Sequence, residues 1–326
     1  MPETASRQAE DANLVTLPEL RAAADVVREI TVPTPLLGCP WHSDGRLWLK
    51  PENLQTTGSF KIRGAYNAIS RLDAKQRAAG VITHSSGNHA QALAYAARHI
   101  GVSCVVVMPD DAKMIKVDAT RSYGAEVIQV SPAERIPYAE KLAVERGMTL
   151  VPPFDHRDVI AGQSSVGIEI AEELPDVEVV LVPVGGGGLS SGVSSALKAI
   201  RPATKVIGVE PELAGDAAEG LAIGERQVWP ASRTGRTIAD GLRTNLSALT
   251  FAHLSARLDD IVTVPDADII AAVRTLARHA HLVVEPSGAA TVAAYLYHPD
   301  RLPSGRTVAV LSGGNVDDKV FAEALG

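Results

Sequence analysis

Cysteine is nearly absent: Cys39 and Cys104 are the only two in 326 residues, and both stand in apolar settings. Two thiols do not make a disulfide scaffold, so the fold must rest on its core, and a reducing compartment fits. Aromatic residues make up only 4%, which leaves packing to Ala, Val, Leu and Ile. No apolar run reaches the roughly 20 residues of a membrane-spanning helix. The opening stretch MPETASRQAEDANL is polar and acidic and lacks the apolar centre of a secretory signal. A positive surplus is missing too, with 31 Lys and Arg against 38 Asp and Glu and a net charge of −7. That balance argues against nucleic acid or an anionic membrane as the main partner. The expectation is a cytoplasmic globular protein, long enough for two lobes.

What is present is alternation. GVITH, SCVVVMP, AEVIQV, EVVLVPV, KVIGVE and TVAVLSGG are short β-branched runs that predict buried strands. NHAQALAYAARHI, AERIPYAEKLAVERG and SSGVSSALKAI carry helical period between them. Strands alternating with helices predict an α/β fold with parallel sheets. Gly220 to Arg236 shows little period and is expected to be irregular.

Three strand ends carry small-residue loops. In EVVLVPVGGGGLSSG a strand ends at Val184, Gly185 to Gly188 follow, and a helix opens near Leu189 or Ser190. Converging N–H groups at a helix N-terminus suit a phosphate. A plain turn is a poor explanation, because each glycine costs roughly 0.5–1 kcal/mol of conformational entropy. The spacing is neither that of a P-loop nor a clean dinucleotide fingerprint. In THSSGNH, Ser85, Ser86 and Asn88 cluster donors at a helix start, equally suited to an ordinary cap or a carboxylate. His89 alone reads as a structural helix residue rather than a base. VLSGGNVD turns through Ser312 and Asn315 after a third strand. In open parallel sheets, ligands lie at the C-terminal strand ends.

Lys61 sits between Phe60 and Ile62 in GSFKIRGAYNAI. Desolvation and a helix N-terminus both disfavour its charged form. A neutral amine attacks carbonyls, and a phosphorylated aldehyde needs both a lysine and a phosphate cradle. Lys61 and the glycine loop together suggest pyridoxal phosphate (PLP). Without that loop, a lysine stem snorkelling past the core edge would suffice.

At this point the sequence resembles the fold-type II PLP enzymes, specifically the serine/threonine dehydratase and serine racemase group. The ordered matches are TPLL, KPENLQTTGSFKIRGA, SSGNHAQA, PPFDHRDVIAGQ, VPVGGGGLSSG, GVEP, IADGL, EPSGAA and LSGGNVD. The resemblance implies a tryptophan synthase β-like fold of two domains, each with a mostly parallel sheet flanked by helices. A large cofactor domain would comprise residues 1–78 and 152–326, and a small mobile substrate-loop domain residues 79–151. It also implies a homodimer and no C-terminal regulatory domain. Lys61 takes the place of the Schiff-base lysine and Phe60 packs against the cofactor ring. Asn88 partners the ring hydroxyl, Gly185, Gly186, Gly187, Gly188 and Leu189 cradle the phosphate, and Ser312 faces the pyridine nitrogen. Ser85, Ser86, Asn88 and His89 receive the substrate carboxylate. GQSS at residues 162–165 departs from the group's usual GQGT.

The activity implied is dehydration of L-threonine or L-serine to 2-oxobutanoate or pyruvate plus ammonia, with Lys61 removing the Cα proton. Ser312 is a hydroxyl and cannot hold the pyridine nitrogen protonated as a carboxylate would, which suits elimination. Serine racemase and 3-hydroxyaspartate dehydratase are the alternatives, with Ser86 as the second acid–base group that racemisation needs. β-Replacement on an activated serine, and a PLP-carrying protein without catalysis, fit the substrate loop less well. Glu210, Ala214 and Asp216 in GVEPELAGD follow the pattern serine racemases use for magnesium, calcium or manganese. The residues alone equally allow Glu210 to end a strand and Asp216 to cap a helix.

Overall fold

The computed structural model describes residues 14–326, so the polar N-terminal stretch read for signals lies almost wholly outside the described residues. Among the described residues, ten strands form two sheets. The larger has the order β1-β2-β10-β7-β8-β9: Leu37–Gly38, Leu47–Pro51, Thr307–Leu311, Val179–Pro183, Lys205–Pro211 and Asp260–Val264. Only the β1–β2 pair is antiparallel. The smaller sheet is wholly parallel in the order β5-β4-β3-β6: Glu126–Val130, Cys104–Pro109, Val81–Thr83 and Thr149–Leu150.

Strand alternation decides which helices cover which face. Val179, Leu181, Ala309 and Leu311 pack with Ile269 and Val273 of the helix Asp266–Thr275 and with Ala289, Ala290 and Ala293 of the helix Pro286–Tyr297. Their neighbours Val180, Val182, Val308 and Val310 face Val166 and Ile170 of the helix Arg157–Glu173 and Val193 and Leu197 of the helix Gly188–Ile200. In the small sheet, Val81, Val106 and Met108 pack on the helix Asn88–Ile100, and Ile82, Val105 and Val107 on the helix Arg135–Arg146.

The helix Lys61–Ser70 buries Ile62, Ala65, Tyr66 and Ile69 in the small-sheet core. Its other side crosses the helix Arg157–Glu173 so closely that a Cβ on Gly162 would lie 2.6 Å from the Arg63 carbonyl. Glycine is what permits that crossing. The lysine-bearing helix is thus wedged between the two sheets' cores. Gly220 to Arg236 is not irregular throughout: the helix Asp216–Ile223 covers its start and a short helix Ala231–Thr234 its end. Among the described residues, no helix is long and apolar enough to cross a membrane.

Candidate active site

Lys61 is the first residue of its helix, which Phe60 precedes in an αR conformation. The Phe60 amide donates to the Ser312 carbonyl at 3.1 Å, and Ser59 bridges Gly313, so the lysine turn is stitched to the loop after β10. Lys61 Nζ donates to the Pro153 carbonyl at 2.8 Å and lies 5.1 Å from the centre of the Phe60 ring. Burial pushes this amine down to about 8, against the opposing pull of Glu285. Lys50 and Lys113 are different: the first is buried in an ion pair with Glu169 and the second pairs with Asp317.

The next residue, Phe154, joins the lysine to the glycine turn. Its ring occupies the space a Cβ on Gly186 would fill, and a Cβ on Gly188 would lie 2.9 Å from its own Cβ. Gly185 runs 2.9 Å, on the same measure, from the Gly241 carbonyl, and Gly187 sits at φ +85°. The four glycines are therefore demanded by close packing and one left-handed residue, and they leave backbone N–H groups at the start of the helix Gly188–Ile200. That helix opens at Gly188, a residue before the position its sequence suggests, and Leu189 is buried in its first turn.

The SSGNH turn comes from the small sheet, at the end of β3. Ser85, Ser86 and Asn88 are half-buried, and Ser85 Oγ accepts from the Gly87 amide at 3.4 Å. Asn88 Nδ2 donates to Glu285 Oε1 at 2.8 Å, and Asn88 Oδ1 accepts from Asn315 Nδ2 at 2.8 Å. Asn315 also donates to the Thr57 carbonyl at 2.9 Å, back at the lysine turn. His89 is buried, with Nε2 on the Val151 carbonyl at 3.0 Å. Burial and the neighbouring Lys61 hold its ring neutral, down to about 3, and its Nδ1 has no hydrogen-bond partner among the described residues. Ser312 is buried beside this junction. The lysine turn, both loops and the glycine turn thus meet through Pro153, Phe154, Glu285 and Asn315.

That geometry has the parts a phosphorylated aldehyde needs: a part-neutral amine, an N–H-lined glycine turn, and polar side chains between them. A family model described as "Pyridoxal-phosphate dependent enzyme" matches residues 27–313. The chain belongs to the pyridoxal-phosphate dependent enzyme family. L-threo-3-hydroxyaspartate ammonia-lyase of Saccharomyces cerevisiae is 39% identical over 93% of this chain and 94% of that protein. Serine racemase of Schizosaccharomyces pombe is 37% identical over 96% and 98%. The solved threonine deaminase isoform 2 of Solanum lycopersicum superposes with a TM-score of 0.88 at 34% identity, covering 96% of this chain and 94% of that one. This PLP-dependent enzyme has the fold-type II architecture, α/β with two mostly parallel sheets flanked by helices.

Four contributors were not assigned roles from the sequence: Phe154, Glu285, Asn315 and the Gly241 turn. Phe154 and Glu285 stand in the motifs PPFDHRD and EPSGAA, but nothing local shows what they touch. Glu285 is only 5% exposed and is pushed up to about 7 by burial and then by Asp240, with Asn88 opposing. The GQSS departure is absorbed locally. Ser164 Oγ donates to the Ala161 carbonyl at 2.6 Å, and Ser165 Oγ donates to the Gly162 carbonyl at 2.8 Å.

Glu210, Ala214 and Asp216 are buried together where β8 turns into the helix Asp216–Ile223. Glu210, rather than Asp216, caps that helix, accepting from the amides of Ala217 at 3.2 Å and Ala218 at 2.8 Å. Burial and then Asp216 push Glu210 well above the carboxylate range, and burial lifts Asp216 to about 6. Among the described residues, no group of three or more His, Cys, Asp or Glu gathers as metal ligands.

Proposed function

We propose that the protein is an ammonia-lyase of small hydroxy amino acids, taking L-threonine to 2-oxobutanoate and L-serine to pyruvate. The observation that carries this reading is the junction of Lys61 with the glycine turn through Pro153 and Phe154, to which Asn88 of the donor-rich Ser85–His89 turn is tied through Asn315 and the Thr57 carbonyl. Bound PLP supplies the sink for the electron pair left when the Cα–H bond breaks. The N–H groups of Gly185 to Leu189 bind the phosphate, while Asn88 and Ser312 hold the ring hydroxyl and the ring nitrogen. Ser85, Ser86, Asn88 and His89 bind the substrate carboxylate. With its amine near 8, Lys61 is neutral often enough at neutral pH to take the Cα proton. The β-hydroxyl departs as water with a proton, in balance the one taken from Cα. The released enamine, aminoacrylate from serine or aminocrotonate from threonine, regains that water on hydrolysis to pyruvate or 2-oxobutanoate and ammonia.

Serine racemisation is the second reading, favoured by Ser86 in the turn whose His89 ring feels the Lys61 charge and by the serine racemases among the relatives. Keto-acid assays on L-threonine, L-serine and L-threo-3-hydroxyaspartate, with chiral separation of serine, test both. Keto acid should form faster than D-serine, and Ser86→Ala should abolish D-serine formation while threonine turnover largely survives. Faster racemisation than elimination of L-serine would hand the assignment to the racemase reading, and no keto acid from any of the three would end the lyase reading.

Glu210 and Asp216, two acids lifted by burial, with Asp216 raising Glu210 further, suit a hard divalent cation with the Ala214 carbonyl and waters completing an oxygen shell. Magnesium should then raise the melting temperature. A chelator and magnesium that leave melting and activity unchanged would make the pair structural.

A further inference from the structure

We infer that Lys50, Glu52, Arg63 and Glu169 form a positioning clamp that fixes the helix turn bearing Lys61 and so aims its amine into the cleft. The inference rests on the reading of Lys61 as the cofactor lysine. Arg63 is fully buried and every guanidinium nitrogen is engaged. Nε and Nη2 donate to the two oxygens of Glu52 at 2.7 and 2.8 Å. Nη1 and Nη2 donate to the two oxygens of Glu169 at 2.5 and 2.9 Å. Nη1 also reaches Ser165 Oγ at 3.0 Å. Lys50 Nζ donates to Glu169 at 2.6 Å and to the Thr34 carbonyl at 2.5 Å, while Thr34 Oγ1 donates to Glu52 at 2.7 Å.

Two cations balance two anions, so the cluster places no net charge beside the lysine. Its members come from the end of β2, the turn after it, the lysine helix and the helix Arg157–Glu173. Two residues along an α-helix turn through about 200°, so Arg63 holds the back of the turn whose front carries Lys61. Among the described residues, Lys61 itself has one hydrogen bond, to Pro153, and no ion pair. Its direction therefore depends on the backbone that Arg63 anchors.

Stability alone does not explain such a cluster. Buried ion pairs are often no better than apolar residues of the same volume. Two bidentate forks, however, allow one orientation of the guanidinium, where apolar packing allows several. Ser165 belongs to the same cluster, because its hydroxyl supplies the guanidinium with a fifth acceptor atom.

The charge-balanced variant Lys50→Met/Glu169→Gln tests the clamp by removing one cation and one anion together. In the holoenzyme, kcat should fall about ten- to a hundredfold, the loss expected of a misplacement near 1 Å, with KM within a few-fold. The visible circular dichroism of the bound cofactor should weaken. In cofactor-free protein, hydrogen exchange of the peptide 58–66 should quicken. A lower melting temperature with unchanged kcat, dichroism and exchange would overturn the inference, since the cluster would then be structural. If the double variant does not fold, Arg63→Lys, which keeps the charge and loses the fork, is read in the same way. A parent enzyme whose cofactor sits on another lysine would defeat the reading of Lys61 and leave the exchange result to judge the clamp.

Discussion

A buried lysine destabilises a fold only while it is charged. The unfolded Lys61 amine titrates near 10.5 and the folded one near 8. Below pH 8 both states are protonated, so the folded cofactor-free protein carries the whole desolvation penalty. Between pH 8 and 10.5 the folded state binds fewer protons, and stability from this group recovers as pH rises. Lys61→Met should therefore stabilise cofactor-free protein at pH 7 by on the order of 2–3 kcal/mol, with the gain fading by pH 10 in a thermal-melt series. A gain independent of pH, or a loss at pH 7, would contradict the burial argument. Lys61 was legible in the sequence because its apolar flanks and its helix start are local. Glu285 was not, since its partner Asn88 lies 197 residues away and its burial is a tertiary fact.

At the scale of elements, the glycine turn is the most constrained part of the site. Gly186→Ala would force the Phe154 ring aside, so PLP affinity should drop at least tenfold in an absorbance titration. Phe154→Ala should restore part of that loss in the double variant, as coupled neighbours do. Additive losses would show that Phe154 does not pack on the turn in solution. The six strands expected from β-branched runs all form, and the helix Asn88–Ile100 spans the residues its period predicts. Strands β1, β2, β6 and β9 escaped that reading, β1 and β6 because each is only two residues long. In Leu47–Pro51, Lys50 and Pro51 break the apolar run, and Lys50 is buried because Glu169 neutralises it and the Thr34 carbonyl accepts from it. Asp260–Val264 follows Asp259, a polar approach that resembles a loop.

Across the whole molecule, the small-sheet unit touches the large one through charge as well as packing. Lys113 and Lys116, one helical turn apart, pair with Asp317 at 2.7 Å and Asp240 at 3.0 Å, each beside a loop of the site. Exposed pairs of this kind are worth about 0–1 kcal/mol each and are screened by salt. We expect KM to rise with ionic strength, and Lys113→Ala/Lys116→Ala to raise low-salt KM about three- to tenfold while flattening the salt dependence. An unchanged salt profile would mean that these pairs do not hold the cleft closed. The sequence could place the two groups of strands, but not these contacts, which join residues more than a hundred positions apart.

The account turns on one amine, and borohydride reduction followed by peptide mapping reads it directly. The cofactor should be fixed to a single peptide, the one containing Lys61, and Lys61→Ala should leave nothing to fix. Cofactor recovered on Lys50, on Lys113 or on no lysine would contradict the site as described.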